Sequence, residues 1–314
     1  MTSGGSEAGY GAQAMTAGAH SEATGQTIMG QQARPRGLWS DAFQRLLRNR
    51  GAVIGLVILA LLALMAIFAP VLAPEEPNVM IPGDALSAPS LEYPMGTDQF
   101  GRDILSRIIF GARLSLQVGF IAVGIASVIG ITLGMIAGYY GRWVDGLIGI
   151  LIDIMLAFPG ILLALAIVAV LGPNLINLMV AVGISSVPTY ARLIRGAVLT
   201  TREMTYVEAA RVIGASDRTI MFRHILPNVL APAIVLSTLG IGGAILVGAA
   251  ISFLGLGAQP PTAEWGAMLS AGRNFLQQAW WITLFPGLAI MVTVLSINLL
   301  GDGLRDALDP RLRS

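Results

Sequence analysis

From Tyr206 to Asn228 the chain reads Tyr-Val-Glu-Ala-Ala-Arg-Val-Ile-Gly-Ala-Ser-Asp-Arg-Thr-Ile-Met-Phe-Arg-His-Ile-Leu-Pro-Asn. This polar segment, the core of Arg195–Asn228, predicts two short helices around a break. Glu203 to Val212 contains good helix formers, Ala209 and Ala210 among them. Gly214 can take the positive φ that ends such a helix. Ser216 or Asp217 can cap the next helix, which is expected to stop before Pro227. A flexible connector needs no such sequence, so the segment reads as a compact docking element.

On both sides of it the chain is apolar. A membrane helix needs about 20 mainly apolar residues. Six runs qualify: Ala52–Leu72, Leu114–Tyr139, Leu147–Leu171, Leu175–Ile194, Val229–Leu254 and Trp281–Leu300. The third and fourth are separated by Gly172-Pro173-Asn174 and should form a hairpin. Of the 314 residues, 55% are hydrophobic and 12% charged, against about 25% charge in a soluble domain. The chain therefore reads as an all-α membrane protein. The first ~35 residues, rich in Gly, Ala, Ser, Thr and Gln, resemble a disordered tail and lack a secretory signal.

All 19 basic residues are Arg. With the N-terminus inside, fifteen fall on the cytoplasmic side, and only Arg102, Arg107, Arg113 and Arg273 fall outside. That bias places both termini in the cytoplasm. Trp39, Trp143, Trp265, Trp280 and Trp281 lie near span ends and read as interfacial anchors. Gly130, Gly134 and Gly138, four apart in the second span, read as a close-packing stripe.

The net charge of +1 gives no reason to expect nucleic acid. Without cysteine there is no thiolate site or disulfide, and His20 and His224 form no metal-binding pair. No nucleophile motif, metal set or paired intramembrane acids point to an intramembrane enzyme. An ion-driven secondary transporter predicts several intramembrane acids and inverted repeats, and Asp153 alone is deep enough to count. Intramembrane charges are costly, so Asp153 is expected to pair with a nearby Arg. Gly149 to Ile152 offer no basic residue, which rules out a pair within its own helix. Asn298 is expected to make an interhelical hydrogen bond, and His224 to serve packing or hydrogen bonding.

The pattern Glu-Ala-Ala-x3-Gly-x9-His-Ile-Leu-Pro, from Glu208, Ala209, Ala210 and Gly214 to His224 and Pro227, resembles the EAA motif of ABC-importer permeases. The resemblance implies a type I importer permease fold with six transmembrane helices. Glu208, Ala209, Ala210 and Gly214 would contact the nucleotide-binding protein, with His224 and Pro227 in the same coupling loop. No Gly-x4-Gly-Lys-Ser/Thr occurs, so ATP and Mg are expected on two separate ATPase subunits and no cofactor on this chain. A homologous sister permease and an extracytoplasmic substrate-binding protein complete the implied assembly, in a bacterial cell membrane.

Three more segments are similar to the C-type subunit of the dipeptide/oligopeptide/nickel group. The first runs from Gly96-Thr97-Asp98-Gln99-Phe100-Gly101-Arg102-Asp103 to Arg107 and Arg113. The second is Ser252 to Gly257 with Pro260-Pro261 and Glu264-Trp265-Gly266. The third is Asn298 to Arg311. Gly96, Thr97, Asp98, Gly101, Arg102, Asp103 and Arg107 read as a short helix with i,i+4 pairs Asp98/Arg102 and Asp103/Arg107. That helix would be solvated, in contact with the binding protein, or a gate at the outer mouth. The resulting division is a tail at 1–38, the first span with its N-terminal segment at 39–73, and an extracytoplasmic loop at 74–112. A permease domain at 113–302 holds the coupling loop 196–228, and a cytoplasmic tail occupies 303–314. Relatives of the group carry dipeptides, oligopeptides, nickel or glutathione, and peptide is the expected cargo.

Overall fold

The computed structural model describes residues 38–308; the tail expected at 1–38, apart from Leu38, lies outside them. The chain divides into Met1–Asp41 and Ala42–Ser314, and the fold below is that of the second unit. Its helices are α1 (Leu38–Arg48, begun in the first unit), α2 (Arg50–Ile67), α3 (Ala69–Leu72), α4 (Ile104–Tyr140), α5 (Arg142–Leu156), α6 (Gly160–Leu171) and α7 (Leu175–Arg202). They continue with α8 (Thr205–Val212), α9 (Asp217–Thr219), α10 (Leu226–Phe253), α11 (Trp265–Gly272) and α12 (Trp281–Leu308). Among the described residues there is no β-strand, only a bridge between Thr97 and Asp103.

Among the described residues, four helical stretches are long and apolar enough to cross a membrane, at Arg50–Ile67, Ile104–Tyr140, Asp217–Phe253 and Trp281–Leu308. The number becomes five if α5 and α6 form one span. Those two helices are bent by 89° where one straight third span was expected. Pro159 is the cause: it disfavours helix at Phe158 and has no N–H to offer Met155. The fourth expected run forms within α7, a more mixed helix containing Pro188 and three Arg.

The most extensive helix contact is between α4 and α7, and it runs along the glycine stripe. A Cβ at Gly130 would lie 2.4 Å from the Tyr190 Cβ. At Gly134 it would lie 2.6 Å from the Ala191 carbonyl oxygen, and at Gly138 2.8 Å from the Val198 Cβ. In lipid, where apolar burial gives no drive to associate, such backbone-close packing is what holds helices together. The α2–α12 contact uses the same device: a Cβ at Gly55 would come within 2.5 Å of the Ser296 carbonyl oxygen.

Two tryptophans expected as interfacial anchors are interior. Trp265 donates from its indole Nε1 to the Ile108 carbonyl at 3.1 Å, and Trp281 donates to the Thr97 carbonyl at 3.1 Å. Both are buried, whereas Trp143 and Trp280 are exposed.

Gly134→Val should force α4 and α7 apart and cost about 1–3 kcal/mol, as over-packing does. Thermal unfolding of the detergent-solubilised chain should show a lowered midpoint. The same substitution at Gly146, where nothing lies within 4 Å, should leave it within error.

Candidate functional site

The segment expected to dock forms as two short helices around a break. α8 turns Val207 and Ala210 inward onto Ile194, Val198, Ile220 and Ile225. Its end is a Schellman motif: Gly214 N–H donates to the Arg211 carbonyl (3.0 Å) and Ala215 N–H to the Ala210 carbonyl (3.0 Å). Gly214 holds φ +83°, the left-handed value that its lack of a side chain permits. Ser216 caps α9 by accepting from the Thr219 N–H. Asp217 instead accepts a 2.7 Å hydrogen bond from the Tyr139 hydroxyl, tying the element to α4. Arg202, the last residue of α7, donates to the Gly138 carbonyl at 2.8 Å.

The second helix does not stop before Pro227. A π-helical turn at Ile220–Ile225 follows α9 and leads directly into α10. In this wider turn the Leu226 N–H reaches back to the Met221 carbonyl, and Pro227, which has no N–H to offer, fits in the first turn of α10. The carbonyl of His224 accepts from Asn228 Nδ2 (2.7 Å) and from the Tyr206 hydroxyl (3.4 Å). Its ring lies 6.5 Å from that of Tyr206.

Glu208, Ala209, Gly214 and Pro227 are exposed. Ala210 is not: at 5% exposure it belongs to the core, so it seats α8 and is not presented outward. Val212 and Ile213, 82% and 84% exposed, form an apolar knob at the tip of α8 that the sequence reading missed. A β-branched pair between Glu-Ala-Ala-Arg and Gly at the end of an otherwise polar helix was the available signal.

On the face of α7 toward α5, Asp153 pairs with Arg192 at 2.9 Å, with both side chains well exposed. A second pair joins Asp145 to Arg195 through two bonds, Nη2 lying 2.6 Å from Oδ2. The partner of Asp153 thus comes from the neighbouring helix. The Asp145 pair was not anticipated, although Asp145 lies in the first turn of α5 and Arg195 in the C-terminal part of α7. Asn298 departs from expectation: it is exposed, and among the described residues its side chain makes no hydrogen bond. Its Oδ1 lies against Gly242 of α10.

The Gly96–Arg107 segment is neither a solvated helix nor an outward surface. Asp98 and Arg102 do pair, at 2.6 Å, but across a tight turn. Asp98 Oδ1 also accepts from the Phe100 N–H (2.8 Å) and the Arg102 N–H (3.1 Å). Gly101 must be glycine, since a Cβ there would fall 1.9 Å from the Ile81 carbonyl oxygen. Asp103 does not pair with Arg107. It caps α4, its Oδ2 accepting from Ser106 N–H (2.8 Å) and Ser106 Oγ (2.6 Å). Arg107 donates to the carbonyls of Pro77 (2.8 Å) and Pro261 (3.4 Å) and to Asn78 Oδ1 (3.3 Å). α4 therefore starts at Ile104, inside the loop expected at 74–112. Thr97, Asp98, Arg102, Asp103 and Arg107 are all buried and form a polar knot beneath the loop before α4, so they are unsuited to touching another protein.

Beside the knot, Glu264 caps α11, accepting from the N–H groups of Gly266 and Ala267 at 2.9 Å each. Burial pushes its carboxyl above the ordinary range, against the opposing pull of those two donors.

The chain matches the family described as binding-protein-dependent transport system inner membrane component over residues 130–314. It matches the N-terminal TM domain of oligopeptide transport permease C over residues 37–89. It is 55% identical over 276 residues to the dipeptide transport system permease protein DppC of Alkalihalophilus pseudofirmus, covering 88% of this chain and 91% of that one. Identity to the di/tripeptide transport system permease protein DppC of Pseudomonas aeruginosa is 49% over 280 residues, with 87% and 92% covered. For the glutathione transport system permease protein GsiD of Pectobacterium atrosepticum it is 47% over 277 residues, with 88% and 92% covered. Among solved structures, the MetNI methionine ABC transporter in inward-facing conformations shares the fold with TM-score 0.52 at 18% identity, over 65% of this chain and 96% of that one. An amino acid ABC transporter crystallised with histidines gives 0.50 at 17%, over 64% and 93%.

Asp98→Ala should leave the Arg102 guanidinium buried without its carboxylate and cost about 3–5 kcal/mol. Limited proteolysis of the loop between α3 and α4 in membranes should become much faster. Resistance equal to the parent chain would show that the knot does not hold the loop.

Proposed function

The chain belongs to the binding-protein-dependent transport system inner membrane component family, and from that premise we propose that it is one of two pore-forming permeases of an ATP-binding-cassette importer for di- or oligopeptides. The sister permease is a homologous chain, and an extracytoplasmic binding protein delivers the peptide. Two ATPases hold ATP and Mg; this subunit does positional work without covalent chemistry. The observation that carries the reading is the outward face of α8. Glu208, Ala209, the Val212–Ile213 knob and Gly214 stand clear of the bundle while Val207 and Ala210 fasten the helix to it. Such a knob with a polar rim has the make-up of a docking surface. The Arg bias supports a cytoplasmic position for it, where ATP is available.

Closure of the ATPases would pull on α8 and move α4 and α7 as a body, alternating access between the two sides. His224 and Pro227 support the handle from behind. The Asp153–Arg192 and Asp145–Arg195 pairs let α5 follow α7. Glutathione, itself a short peptide, is the second reading of the cargo, supported by 47% identity to the relative named for it.

Glu208→Arg and Gly214→Val should each lower uptake of a labelled dipeptide at least tenfold in whole cells, with the chain still inserted and ATP still hydrolysed by the complex. Normal uptake in both variants would remove the docking assignment. Because the chain has no cysteine, Leu91→Cys and Arg218→Cys can report topology by thiol labelling. They should react from the outside and the inside respectively; reaction from one common side would break the orientation.

A further inference from the structure

Where α4, α6, α7 and α10 meet, a cavity of about 300 Å3 opens beside the bend between α5 and α6. Gly160, the first residue after that bend, lies on its wall. Four hydroxyl residues of α7 face it: Ser185, Ser186, Thr189 and Tyr190. Ser185 and Ser186 both donate to the Val182 carbonyl, at 3.0 and 2.8 Å, so their oxygens keep free acceptor capacity. Thr189 is exposed, and its hydroxyl has no partner among the described residues. Ser185 lies ten residues into α7, about 15 Å along the helix, which is near half the ~30 Å thickness of a bilayer core.

Such a space is normally filled by a large aliphatic side chain. Here Gly160 and Gly243 line it, and nothing lies within 4 Å of where a Cβ would stand at either position. The wall carries no charged, imidazole or thiol group. It is therefore a poor host for nickel, which prefers imidazole and other donor ligands. It suits a neutral group that both donates and accepts, held by a few hydroxyls in an otherwise apolar cleft.

We propose that this cavity is a transit site for the peptide itself. The hydroxyls of Ser185, Ser186 and Thr189 bond a main-chain amide of the cargo, and Gly160 and Gly243 leave room for one of its side chains. The proposal rests on the peptide-importer reading above. It makes α7 the helix that holds the peptide main chain and α6 and α10 the helices that set how bulky a transported peptide can be, while the charged peptide termini stay in the water-filled path.

Single cysteines test it in intact cells that take up alanyl-alanine. Thr189→Cys should react with a water-soluble methanethiosulfonate at least tenfold faster than Val128→Cys, on the exposed side of α4. Saturating alanyl-alanine should slow that reaction at least threefold. Equal rates at the two positions, or no protection by the dipeptide, would overturn the site. Gly243→Leu should then lower the ratio of phenylalanyl-phenylalanine to glycyl-glycine uptake at least tenfold, and an unchanged ratio would overturn the role in size selection. If Gly243→Leu fails to reach the membrane, Gly243→Ala should lower the same ratio by a smaller factor, and no change in it counts against the proposal. Cells lacking the chain but taking up all three dipeptides at the parental rate would refute the peptide-importer reading and the site with it.

Discussion

The structure depends on the backbone-close packing of α4 against α7. Three glycines spaced four apart remove the side chains that would hold the two helices apart, and each faces a bulkier residue or a carbonyl of α7. Everything with a proposed role hangs from this pair. α7 carries the two arginines that hold α5 and the hydroxyls of the cavity beside α6, and it runs directly into the proposed docking element. α4 receives Asp217 through Tyr139 and Arg202 through the Gly138 carbonyl. A force applied at α8 thus enters the bundle at two points on the same rigid pair.

The two ends of the bundle are built differently. The end that holds the Gly96–Arg107 segment is a closed polar knot, where Asp98 pairs with Arg102, Asp103 caps α4 and Arg107 donates to the Pro77 and Pro261 carbonyls. Such a knot gives a stiff cap, because breaking any one partner leaves a buried charge behind. The end that holds α8 is open: α5 and α8 present exposed charges and apolar residues. A stiff end and an open end suit the proposed role of a subunit gripped at α8.

Much of this was legible in the sequence. The apolar runs, the glycine stripe and the helix–break–helix around Gly214 follow from local chemistry, since each depends on residues close in the chain. What failed depended on partners far away in sequence. Asp103 and Arg107 have the spacing of a helical ion pair, but the same spacing serves a capping aspartate and an arginine that reaches to Pro77 and Pro261. Trp265 and Trp281 lie near span ends, as interfacial anchors do, and only the packing of α11 and α12 shows them to be interior. Pro227 promised a helix stop, and a π-turn absorbed it. Pro159, which drew no such expectation, produced the sharpest bend.

The central claim is that the tip of α8 is held by a separate ATPase. The most direct measurement places a photo-crosslinking amino acid at Ile213 in living cells and identifies the adduct by mass spectrometry. The account predicts one dominant protein partner carrying a Gly-x4-Gly-Lys-Ser/Thr loop, with its yield changed by ATP depletion. Adducts only to lipid or to extracytoplasmic proteins would contradict it.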